Sequence, residues 1–118
     1  PLISAGNVSP AGVKKGPLVF IGGQIATHLS AKGTKTQTAE CLSRIEALLG
    51  EVGGNKQNIA RVVAYISQQD VSDYDEVLEE IEHFFSGSTP SITGVAVQNL
   101  SDPNQKIIMN AVADLGIA

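Results

Sequence analysis

Two stretches of helical periodicity, set among β-branched runs, constrain this chain more than any other feature. Leu42, Ile45, Leu49 and Val52 recur at i, i+3, i+7 and i+10, which places them in one stripe of a helix. Thr34 and Gln37 give that helix a Thr-x-x-Gln capping-box start, and Gly53-Gly54 gives it an end. The second stretch carries Tyr74, Val77, Leu78, Ile81, Phe84 and Phe85 over three turns, with Ser72 and Asp75 placed to cap it. Between the helices "IARVVAYIS" (59–67) reads as a buried strand. Further strands are expected over 18–26, 91–98 and 106–113. In the 91–98 strand Thr93, Val95 and Val97 share one face, and Ile92, Gly94 and Ala96 share the other. The first 17 residues, punctuated by Gly6, Pro10, Gly12, Gly16 and Pro17, read as a short edge strand followed by turns.

The expected order is therefore β-β-α-β-α-β-β, with residues 1–118 forming a single domain. Two helices on one face of a mixed sheet is the economical α+β packing. The other sheet face then lacks cover within the chain, and a second chain would supply it. Aromatic residues make up only 4% of the sequence, with no tryptophan. A core of that kind is small, so subunit association is expected to add apolar burial.

One segment breaks the strand pattern. "VFIGGQIA" (19–26) puts Gly22 and Gly23 inside an apolar run, where each glycine costs about 0.5–1 kcal/mol relative to alanine. Such a pair marks a bulge, a bend, or the close approach of a ligand or another backbone.

The formal net charge is −4 and no basic stripe is present, which argues against nucleic acid as a partner. A single cysteine, Cys41, excludes an intrachain disulfide. No apolar run reaches the roughly 18–20 residues of a membrane span. A cytoplasmic location is expected, or an organellar one if a targeting segment has been removed. The two histidines lack a spaced thiol or carboxylate partner, so no metal site is expected. No phosphate-binding or dinucleotide motif calls for a cofactor.

Five segments in order resemble the YjgF/RidA family of reactive-intermediate deaminases, also described as L-PSP endoribonucleases. "GPLVFIGGQIA" (16–26) is similar to the family pattern G-x-L-V-F-x-S-G-Q-I. "QTAECLSRIEALLGEVGG" (37–54) is similar to the family's first helix, and "IARVVAYISQQDVSDYDEV" (59–77) to its next strand and helix. "TPSITGVAV" (89–97) falls on a segment that usually reads P-A-R-S/T, and "MNAVA" (109–113) on I-E-x-I-A. The resemblance implies a chorismate-mutase-like fold and a homotrimer with small-metabolite clefts between subunits. It also implies hydrolysis of enamine or imine intermediates such as 2-aminoacrylate.

Within that resemblance the chain departs from the pattern where the chemistry would sit. The family arginine aligns on Ile92, the glutamate on Asn110 and the serine of S-G-Q on Gly22. The family's G-P-Y-S-Q segment near the N-terminus has no clear counterpart in "SPAGVKKGP". Without a guanidinium to hold a carboxylate, or an acid to move a proton, efficient 2-aminoacrylate deamination is not expected. No catalytic residue is assigned. The cleft candidates are Gly22, Gly23, Ile92, Thr93 and Asn110, with Lys14, Lys15 or Arg61 as cations that a neighbouring copy would bring.

The alternatives come from other classes: a non-catalytic binding or regulatory trimer, a tautomerase acting through Pro1, or a ribonuclease or translation inhibitor. Thr93 and Asn110 each have a structural reading, as an ordinary strand residue and as an interface amide. Cys41, beside the apolar stripe, reads as a buried inert thiol. His28 falls in the loop after the glycine strand, and reads as an ordinary loop residue with a place at the mouth of a cleft as the alternative. His83 lies among Glu79, Glu80 and Glu82 in a solvated charge run.

Overall fold

The fold was taken from a computed structural model that describes residues 2–3 and 11–116; Pro1 lies outside them. The strands are β1 (Leu2–Ile3), β2 (Gly12–Lys15), β3 (Leu18–Gln24), β4 (Ile59–Ser67), β5 (Ser91–Val97) and β6 (Ile107–Asp114). The helices are α1 (Thr34–Gly50) and α2 (Tyr74–Phe85). Together the strands form one sheet in the order β1-β2-β3-β6-β4-β5, parallel only between β4 and β5, where α2 makes the crossover. The expected α+β architecture, a mixed sheet with two helices on one face, is borne out.

Residues 12–15 differ from expectation. They form a strand rather than turns, because Gly16, at φ +60°, lets the chain reverse through Gly16-Pro17 and pair Lys15 with Leu18. Leu2–Ile3 then takes the sheet edge, as the sequence suggested.

The core lies between the helices and one sheet face. Leu42, Ile45 and Leu49 of α1 and Val77, Ile81 and Phe85 of α2 pack on Val19, Ile21, Val62, Ala64, Ile66 and alternate residues of β6. β6 alternates buried and half-buried along its whole length, as a strand covered on one side does. The opposite face carries Leu18, Phe20 and Val95, which stay 37–43% exposed.

Neither expected helix cap forms, and at α1 the side chains concerned make longer-range bonds instead. The α1 N-cap is Gly33, and the Thr34 hydroxyl donates instead to Asp73 Oδ2 at 2.7 Å, tying α1 to the turn before α2. Gln37 is fully buried: its amide nitrogen donates to the Lys32 and Asn104 carbonyls, and its oxygen accepts from Lys106 N–H. That one side chain pins the β5–β6 connection to α1. At α2 the N-cap is Asp73, with Ser72 taken up in the preceding 3-10 turn.

Candidate functional site

The glycine pair is a β-bulge. Ile21 pairs with Ala111 and Gln24 with Met109, so Gly22 and Gly23 together oppose the single residue Asn110. Ile21 and Gln24 stand three apart, yet both are buried; the extra residue restores the phase. Each glycine has its own reason. Gly22 N–H donates to the Ala11 carbonyl at 2.6 Å, and a Cβ on Gly22 would lie 3.2 Å from that oxygen. A Cβ on Gly23 would come within 2.5 Å of the Ile108 side chain. The close approach that the sequence called for is made, in this chain, by the molecule's own backbone at Gly22 and by the half-buried Ile108 side chain at Gly23.

Asn110 therefore lies opposite the bulge of β3. On its other side it pairs with Val63, and Val63 pairs in turn with Thr93. Residues directly opposite across a ladder point to the same side of the sheet. Asn110, Val63 and Thr93 thus form one row across the face that the helices leave open. Thr93 is exposed and Asn110 half-buried.

Ile92 is not in that row. It pairs with Val62 and packs against the core on the helix-covered side. Next to it on that side, Gly94 lies under the Tyr74 ring, which a Cβ there would overlap. Ile92 and Asn110 cannot line one pocket within a single chain, because they project from opposite faces.

His28 adopts a left-handed backbone (φ 52°) in the β3–α1 connection. It borders a surface hollow of about 460 Å³, together with Ser30, Asp102 and Asn104. The connection is held from α1: Glu40 accepts from Thr27 N–H at 2.8 Å, from the Thr27 hydroxyl at 3.0 Å and from Lys32 Nζ. Lys32, then the Thr27 amide, hold the Glu40 carboxyl down at about 2.

Cys41 is fully buried and donates its S–H to the Gln24 carbonyl; burial pushes the thiol up to about 12, so it is no nucleophile near neutrality. His83 borders a second hollow, of about 440 Å³, with Lys35, Glu79 and Glu80. No group of three metal-ligating side chains comes together among the described residues, and none of the described helices is long and apolar enough to cross a membrane.

Of the two α1 side chains that hold these connections, sequence reasoning read Gln37 only as a cap residue and did not single out Glu40. Gln37 had a signal: it stands four and eight residues before Cys41 and Ile45, a polar residue on an apolar stripe. Glu40 had none, since its partners come from a loop.

Residues 2–115 match the family model described as endoribonuclease L-PSP. A RutC family protein of Pyrococcus abyssi is 31% identical over 107 residues, covering 86% of this chain and 81% of that protein. Among solved structures, Rv2704 of Mycobacterium tuberculosis, a member of the YjgF/YER057c/UK114 family, superposes with a TM-score of 0.86 at 28% identity; 97% of this chain and 98% of that chain are covered. TdcF of E. coli, solved with bound serine, gives a TM-score of 0.81 at 23% identity, over 93% of this chain and 90% of the other, and so shares the fold.

Proposed function

The chain belongs to the endoribonuclease L-PSP family, the YjgF/RidA family of its sequence motifs, and from that premise we propose that it is a divergent homotrimer with small-metabolite clefts between subunits. The observation that carries this reading is the open sheet face. It sets the polar row of Asn110 and Thr93 among the exposed apolar side chains Phe20 and Val95. Exposed apolar groups of that size favour a partner surface, and a second copy of the same face is the economical one. Because Ile92 and Asn110 lie on opposite faces of one chain, a cleft containing both takes them from two copies.

Ile92 and Asn110 stand where the family pattern has arginine and glutamate. Efficient 2-aminoacrylate deamination is therefore not the expected activity, and any chemistry is hydrolysis of a related imine-like species. The protein is read as cytoplasmic, and RNA is a poor partner for a chain of net charge −4. A non-catalytic binding or regulatory trimer is the second reading, favoured by one fact: Ile92 is absorbed into core packing rather than presented to a ligand.

Light scattering should give the mass of three chains. Ammonia and 2-oxo acid release from freshly generated 2-aminoacrylate should stay at the uncatalysed level for the wild type. It should rise in Ile92→Arg/Asn110→Glu, provided thermal melting shows that the variant is folded. A monomeric wild type, or one that deaminates efficiently, overturns the proposal.

A further inference from the structure

β4 carries a bulge of its own. Ile59 pairs with Ala113 and Arg61 with Val112, so Ala60 is an extra residue against β6. Its consequence is a change of face. Ile59 is buried on the helix side, and in a regular strand a residue two positions on would share that side. The bulge instead turns Arg61 onto the open face, in phase with Val63 and exposed. Re-aiming a side chain is one of the uses to which bulges are put.

We propose that Arg61 is the anion anchor of the open-face cleft, taking the carboxylate of a small ligand whose remainder lies along the Thr93–Asn110 row. This inference rests on the trimer reading above, which supplies the cleft's other wall. The register brings the groups together. Arg61 pairs with Ser91 on one side and Val112 on the other, one step along the ladders from Thr93 and Asn110. Diagonal neighbours of this kind stand roughly 7–8 Å apart, within reach of an arginine side chain and a ligand of a few heavy atoms.

Among the described residues the guanidinium has no ion-pair partner. The ion pairs among the described residues are Lys32–Glu40 and Lys106–Asp70, and neither involves Arg61. The other cations considered from sequence are placed less well. Lys14 pairs with buried Val19 and donates Nζ to the Gly16 carbonyl, and Lys15 sits at the hairpin end beside Leu18. A planar guanidinium suits a carboxylate better than an ammonium does, because it offers two parallel N–H bonds. On this account the chain has kept a carboxylate-binding cleft while moving the cation from position 92 to a bulged position on β4.

The test is calorimetric titration of the intact protein with 2-oxobutyrate and, separately, with its uncharged methyl ester. Wild type should bind the carboxylate at least about tenfold more tightly than the ester, the difference made by one charge-assisted hydrogen-bonded pair. Arg61→Met should bring the carboxylate down to the level of the ester, Arg61→Lys should keep part of the preference, and Lys15→Met should change nothing. Light scattering on every sample separates the two readings. A trimeric Arg61→Met that binds 2-oxobutyrate as well as wild type overturns the role of Arg61, as does a trimeric wild type that binds neither probe. A wild type that is not trimeric overturns the assembly from which this inference starts.

Discussion

A side chain on Gly23 has nowhere to go without moving Ile108. The methyl of alanine would come within 2.5 Å of Ile108 Cδ1, the far end of a side chain that can shift but is packed at the bulge. Gly23→Ala is expected to cost about 1–2 kcal/mol, in the ordinary range for overpacking. Ile108→Val removes the Cδ1 that clashes most and leaves Cγ1 at 3.0 Å, so in urea unfolding Gly23→Ala should cost less in the Ile108→Val background than in wild type. A single variant as stable as wild type would mean that the bulge relaxes freely. At the same scale Cys41 shows how burial decides chemistry. Its sulfur lies against the Gln24 carbonyl, and its thiol is held far above neutral pH, so it serves the core.

At the scale of elements, α1 does more than cover the sheet. Gln37 holds the β5–β6 connection and, one turn later, Glu40 holds the β3–α1 connection. The second of these has a pH signature. The Glu40 carboxyl is lowered from 4.5 to about 2 by Lys32 and the Thr27 amide, so its folded form binds a proton less readily than the unfolded chain does. Its stabilisation is fully present above pH 4.5 and is lost as the pH falls through 2. Unfolding followed from neutral pH downwards should show wild type more stable than Glu40→Gln, with a constant difference above pH 5 that shrinks between about 4.5 and 2. A difference independent of pH over that window would mean that the carboxylate is not held by charge. The bulges in β3 and β4 work at this scale too. One keeps Ile21 and Gln24 on the same face despite their spacing, and the other puts Ile59 and Arg61 on different faces.

For the whole molecule, the sheet has one face committed to the helices and one left open. Phe20, 43% exposed, stands with Val13 and Val112 near the middle of that open face. A carboxylate there would have to be desolvated in any assembly that closes the face. Phe20→Glu should therefore yield a folded monomer, read as unchanged circular dichroism with the sedimentation coefficient of a single chain. If the wild type forms the proposed trimer and Phe20→Glu forms it too, the subunits meet elsewhere.

Much of this molecule was legible beforehand, because burial imposes a period on each element. The stripe of α1 as far as Leu49, the stripe of α2, the bounds of β4 and the α+β packing follow from residue spacing alone, and the family follows from motifs strung along the chain; α1 itself stops at Gly50, so Val52 and the expected Gly53-Gly54 end lie beyond it. What the tertiary structure decided is phase and partnership. A bulge changes which face a side chain takes without changing the residues on either side. Alternation along the sequence therefore could not show that Arg61 leaves the face of Ile59, or that Gly22 and Gly23 share Asn110 as their partner. Nor could spacing show that Ile92 belongs to the core while Thr93 and Asn110 share a row. That depends on ladder register, which is set by contacts between strands far apart in the chain.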